Sequence, residues 1–147
     1  MNERDLQFAR QWLKKAKSDL FTARCVLQEP DGPTDTPCFH AQQAVEKALK
    51  AILTAFSVHF SRTHDLLPLL DQAAAMVPEV TQYRFACAQL SAYAAALRYP
   101  AEMDEPTRHE ATEALQWATA IHAVAVRFLA DLRLDGAANA DAGDQEE

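Results

Sequence analysis

The sequence predicts an all-α protein, an antiparallel up-and-down bundle of four long helices and one short one. Three observations carry that prediction. Apolar residues recur at three- and four-residue steps over long stretches, the spacing that lines one face of a helix. No segment alternates apolar and polar residues as a half-buried strand does. Glycine is scarce, with 3 in 147 residues, and the proline- and glycine-bearing stretches fall between the periodic segments. A chain of this length forms one domain with a sizeable core.

Helix one is expected from about Asp5 to Gln28. Leu6, Ala9, Leu13, Ala16, Leu20, Ala23 and Leu27 form its buried stripe, flanked by Trp12 and Phe21, while Arg10, Lys14, Lys15 and Lys17 supply a basic side. The run Glu29–Pro37, with three prolines and a glycine, stops it. Thr36 as N-cap and Pro37 in the first turn then start helix two, which runs to about Phe56. After a short connection, Thr63 or Asp65 caps helix three, which Leu66, Leu67, Leu69, Leu70, Ala73 and Ala74 bury and Pro78 ends. Helix four is expected from Val80 to Leu97, with Phe85, Ala88, Leu90, Ala92, Ala95 and Ala96 inward; its alanines would let another helix approach closely. Arg98-Tyr99-Pro100 ends it, because the residue before a proline is pushed out of the helical region. Asp104-Glu105-Pro106-Thr107 starts helix five, which runs to about Arg133. The bundle thus takes residues 1–134. Residues 135–147 are acidic and lack large apolar side chains, so they are expected to be a disordered tail.

The formal net charge is −7. Asp135, Asp141, Asp144, Glu146 and Glu147 account for five of those charges, leaving −2 on the bundle. That balance excludes a global basic field for nucleic acid, so any such contact must come from a local cluster. Cys25, Cys38 and Cys87 fit neither a disulfide framework nor a paired-cysteine metal clip, and read as reduced thiols. The first residues lack an apolar signal core, and no run approaches the ~20 apolar residues of a membrane span. A soluble cytoplasmic protein is therefore expected. The five histidines show no metal-ligand spacing, and no Gly-rich phosphate loop occurs, so neither a metal nor a cofactor is expected.

The most informative run is Cys38-Phe39-His40-Ala41-Gln42-Gln43-Ala44-Val45-Glu46-Lys47-Ala48-Leu49-Lys50-Ala51-Ile52-Leu53. Wound as a helix, it puts Ala41, Ala44, Val45, Ala48, Ile52, Ala55 and Phe56 on one side, and His40, Gln43, Lys47, Lys50 and Thr54 on the other. The front therefore carries an imidazole, an amide and two ammonium groups, which suit either solvated surface or an anion.

Three landmarks together resemble the HEPN domain family: Phe39-His40-Ala41-Gln42-Gln43-Ala44-Val45-Glu46-Lys47-Ala48-Leu49-Lys50-Ala51, then Arg62-Thr63-His64-Asp65-Leu66-Leu67-x-Leu69-Leu70, then Arg98-Tyr99-Pro100. Trp12-Leu13-x-x-Ala16-x-x-Asp19-Leu20-x-x-Ala23 fits as well, so the resemblance covers residues 5 to 133. It implies a small helical domain related to the one appended to kanamycin-type nucleotidyltransferases, a homodimer, a separately encoded minimal nucleotidyltransferase as partner, and a nucleotide as ligand. The expected ligand- or phosphate-binding residues are His40, Gln43 and Lys47 on helix two, Arg62 and His64 at the start of helix three, and Arg98 and Tyr99 at the end of helix four. No residue is assigned a catalytic role. One branch of the family contains metal-independent ribonuclease toxins, which use an Arg followed four to six residues later by a His. No arginine of this chain stands in that relation to a histidine; Arg62 and His64 are too close, and Arg108 and His109 are adjacent. The alternatives to the binding module are therefore an endoribonuclease of a toxin–antitoxin pair built on other residues, and a purely structural dimerisation module.

Overall fold

A computed structural model describes residues 2–95 and 104–143, with side chains as far as Arg133. Among them all regular structure is helical: α1 (Glu3–Gln28), α2 (Asp35–Ala55), α3 (Leu66–Ala74), α4 (Arg84–Ser91) and α5 (Arg108–Gly143). Two 3₁₀ segments, Pro78–Tyr83 and Ala92–Ala95, flank α4.

Contacts along the helices set their directions. Asp19 of α1 meets His40 and Lys47 of α2, while Ala9 lies with Ala51 and Ala55, so these two helices run antiparallel. Cys38 near the start of α2 meets Tyr93 at the end of the α4 segment, and Glu79 at its other end pairs with Arg127 late in α5. The α4 segment therefore runs against both α2 and α5. The up-and-down order predicted from the sequence holds, with α3 as the short element between α2 and α4.

Local chemistry places the ends. Asn2 caps α1, its Oδ1 accepting from the Asp5 N–H at 2.8 Å, so the helix starts two residues earlier than predicted. α2 starts at Asp35 rather than after Thr36: the Asp35 carboxylate accepts the Thr36 N–H at 2.8 Å, and the Thr34 hydroxyl donates to the Pro106 carbonyl at 2.5 Å, tying this loop to the start of α5. In the same loop Gly32 has no substitute, because a Cβ there would lie 2.9 Å from the Val26 carbonyl oxygen. α2 closes in a Schellman motif, with Val58 N–H donating to Leu53 O at 2.9 Å, Ser57 N–H donating to Thr54 O at 3.1 Å, and Ser57 at φ 55°. α5 opens with a capping box: Thr107 Oγ1 accepts the Glu110 N–H at 3.1 Å, and Glu110 Oε1 accepts the Thr107 N–H at 3.0 Å.

Three expectations change. α2 is not two-faced but central: Cys38, Ala41, Gln42, Ala44, Val45, Glu46, Ala48, Leu49, Ala51, Ile52 and Leu53 are all buried, because α1, α3, α4 and α5 all pack against it. Helix four is not long and regular. Its 3₁₀ ends turn three residues per turn instead of 3.6, which rotates the apolar stripe. Ala86, Cys87, Leu90 and Tyr93 point inward, while Ala88 and Ala92 are exposed and Phe85 is 69% exposed against the edge of Trp117. Ala96 and Leu97 lie outside the described residues. Finally, the α5 backbone stays helical to Gly143, past the boundary predicted at Asp135; the alanines at 137, 138, 140 and 142 are the strongest helix formers.

Candidate functional site

The polar residues of α2 that the sequence singles out form a strip between α1 on one side and the segment 57–65 on the other. Each border holds one buried acid. Asp19 of α1, 8% exposed, accepts from His40 Nδ1 at 2.8 Å and from Lys47 Nζ at 2.5 Å. Glu46 of α2, 4% exposed, accepts from His64 Nδ1 at 2.9 Å, and Lys50 Nζ lies 3.6 Å from its other oxygen. The tautomers follow from these partners: a carboxylate only accepts, so each ring carries its proton on Nδ1. The Nε2 of each ring makes no hydrogen bond among the described residues.

Two amides tie α2 to the second cluster. Gln43 Nε2 donates to Gln42 Oε1 at 2.7 Å, and Gln42 Nε2 donates to the His64 carbonyl at 2.9 Å. Gln42 is fully buried, so this bond fixes residue 64 against α2. Below, Lys50 Nζ lies 5.4 Å from the Trp12 ring centroid and 5.6 Å from that of Phe60, closing the strip with a cation between two aromatics.

The structure thus brings His40, Gln43, Lys47 and His64 together, but not as a free ridge. His40, Gln43 and Lys47 are half-buried: Asp19 draws His40 and Lys47 toward α1, and Gln43 turns onto Gln42. Arg62 is exposed at the rim, two residues before His64, and forms no ion pair among the described residues. Arg98 and Tyr99 lie outside the described residues. Sequence reading missed Asp19 and Glu46 as the acids that organise the site and Gln42 as a member of it; it put Lys50 on the same front but not among the binding residues. Two signals were present: both acids lie at inward helical positions, and both occur within the motifs quoted above.

An anion at the N-terminus of α3 has few donors left. The Asp65 carboxylate takes the Leu67 N–H at 3.2 Å, and the Ser91 hydroxyl oxygen accepts the Leu66 N–H at 3.0 Å. Any phosphate at this corner must therefore use side chains. Among the described residues no three His, Cys, Asp or Glu side chains converge as a metal-ligand set, and no helix is long and apolar enough to cross a membrane. An open groove of about 570 Å³ lies elsewhere, between α1 and α5, lined by Arg24, Thr112, Leu115, Gln116, Thr119, Ala120 and Ala123. It holds none of the titratable groups of the strip.

Comparison with known proteins agrees with this architecture. No curated protein matches the chain. Among solved structures, the crystal structure of TT1696 from Thermus thermophilus superposes with a TM-score of 0.70 at 33% identity, over 81% of this chain and 96% of that one. The family model described as the HEPN domain matches residues 9–129, from the buried Ala9 of α1 to Leu129 of α5, and so takes in both borders of the polar strip. The chain belongs to the HEPN domain family.

Proposed function

We propose that this HEPN domain is a dimeric module that binds the phosphate of a nucleotide or nucleic acid along the polar strip of α2. We further propose that it works beside a separately encoded minimal nucleotidyltransferase, which carries the chemistry. The observation that carries the reading is the pair of imidazoles, His40 and His64, each held through Nδ1 on a buried carboxylate and each with an unused Nε2. A ring fixed in this way offers Nε2 as an acceptor when neutral and as a donor to phosphate when protonated. Lys47 supplies charge already oriented by Asp19, and Arg62 at the rim supplies a fork that matches a phosphate bidentately. Arg98 and Tyr99 complete the proposed set. The test is calorimetric titration of ATP and other nucleotides into the wild type and into His40→Ala/Lys47→Ala. Heat in the wild type that disappears in the double variant supports the strip as the site; no heat from any nucleotide removes the proposal. Light scattering tests the dimer.

One feature favours a second reading. A carboxylate holding His Nδ1 is also how a general base is oriented, and RNA cleavage without a metal needs such a base and a cation for the developing phosphorane charge. Incubating the pure protein with RNA in chelator separates the two. Cleavage lost on His40→Ala or His64→Ala would make the chain a ribonuclease, and intact RNA would leave the binding module.

A further inference from the structure

The outer face of α1 carries a charge that the composition hides. Arg4, Arg10, Lys14, Lys15, Lys17 and Arg24 are all exposed on it, and none forms an ion pair among the described residues. The helix has three acids. Glu3 and Asp5 sit in its first turn, and Asp19 is turned inward and neutralised by Lys47. A protein with a formal charge of −7 thus presents one helix face that is almost purely cationic.

The arrangement on that face is specific. Arg10, Lys14, Lys17, Phe21 and Arg24 follow one another at steps of four and three, which places them on a single line along the helix. At 1.5 Å per residue the line is about 21 Å long. Phe21, in the middle of it, is 63% exposed, so its phenyl ring stands open to water between the cations. A parallel row carries Arg4, Phe8 and Lys15, with Phe8 45% exposed and the Arg4 guanidinium 5.7 Å from its ring centroid. At its far end the line opens, through Arg24, into the groove between α1 and α5, whose walls are the apolar Leu115, Ala120 and Ala123 and the hydroxyls of Thr112 and Thr119.

We propose that this face of α1 is a docking strip for single-stranded RNA, with phosphates on Arg10, Lys14, Lys17 and Arg24 and bases stacked on Phe21 and lodged in the α1–α5 groove. An acidic protein segment would also find the cations. It would have no use for an exposed phenyl in line with them, whereas unpaired bases stack on such rings. A duplex keeps its bases inside and would likewise leave Phe21 idle. The surface is distinct from the α2 strip and uses none of its residues, so either proposal can fail alone.

Fluorescence anisotropy with a labelled 20-nucleotide oligouridine tests it. Four neutralised phosphates give a slope of log affinity against log salt of about −2.8, or about 50-fold weaker binding between 50 and 200 mM salt. Lys14→Gln/Lys17→Gln should halve that slope, and Phe21→Ala should weaken binding about tenfold with the slope unchanged. Arg84→Gln, which removes an exposed cation on α4 that belongs to neither surface, should leave binding as it is. All substituted α1 side chains are exposed, and circular dichroism on each variant checks that the helices are retained. No binding at 50 mM salt overturns the proposal. So does indifference to Phe21→Ala, or displacement of the RNA by polyglutamate of equal charge, which would show a surface that reads charge alone. Loss of binding in His40→Ala/Lys47→Ala would move the RNA to the α2 strip.

Discussion

Replacing Asp19 by alanine would remove the carboxylate on which His40 and Lys47 both close, and would leave an ammonium group half-buried between α1 and α2. Breaking a fully buried ion pair from one side costs about 3–5 kcal/mol, because the remaining charge stays desolvated. Here the Lys47 and His40 side chains keep 22% and 25% of their exposure, so the lysine can lift its head toward water and recover part of that loss. About 2–3 kcal/mol is the expected cost, or about 5–10 °C in Tm for a chain of this size. Lys47→Met should cost about 1–2 kcal/mol, since Asp19 then keeps only His40. The double variant removes both charges and should be more stable than the sum of the single effects predicts. Urea denaturation of the four proteins measures the coupling, expected at about 1–2 kcal/mol. If the effects add to within about 0.5 kcal/mol, Asp19 and Lys47 do not interact in solution, and the account of the strip's inner border is wrong.

Three further outcomes follow from the same geometry. Thr107→Ala should cost about 1 kcal/mol in a urea melt, since it removes the hydroxyl that caps the first turn of α5. Burial pushes the thiols of Cys38 and Cys87 up to about 12, while Cys25 is exposed, so a thiol reagent at pH 8 should titrate one cysteine in the native protein and three after unfolding. His122 is held below the usual histidine range by burial, then by Lys17 and Arg24, with a backbone bond to Leu13 opposing them, and its buried Nε2 has no partner among the described residues. Because the folded protein resists this proton, the unfolded chain takes it up first. Stability should fall as pH drops through about 6.5, the unfolded value, until folded His122 also protonates. In His122→Phe that part of the slope of Tm against pH between 7 and 5 should vanish.

The helices were legible because periodicity is a local property. Leu6 through Leu27 on α1 repeat closely enough that only one face can be buried, and Pro33, Pro37 and Pro78 can only punctuate. Helix four was not legible in the same way. Its apolar stripe follows from 3.6 residues per turn throughout, whereas Pro78–Tyr83 and Ala92–Ala95 wind at three. The accumulated phase error turned Phe85 and Ala88 from core residues into surface ones. Alanine and threonine tolerate either winding, so nothing local betrayed the change.

The site was half legible for a different reason. A helical wheel shows which residues share a face, but not what stands opposite, and on α2 that decided everything. His40 and Lys47 read as a solvated front because their partner lies 21 or more positions away on α1. The alanines carried the missing information. Ala41, Ala44, Ala48 and Ala51 line one side of the helix, where a neighbour can approach closely, and the large Leu49 and Leu53 occupy an adjoining side, which makes sense only if more than one helix packs against it. A helix so enclosed cannot leave Glu46 in solvent, and a buried acid must find a cation or a hydrogen-bond donor. His64 and Lys50 answer that need, as His40 and Lys47 do for Asp19. The two pairings also explain how α1 comes to be so unbalanced. By turning Asp19 inward to meet charges on α2, the helix leaves its outward cations without an ion-pair partner among the described residues. Charge effects at a wet surface fade within about 10 Å, so the acids that make the whole chain negative do little to offset this face unless they lie close to it. The polarity of the interior and the field on the exterior are therefore two consequences of where one carboxylate points.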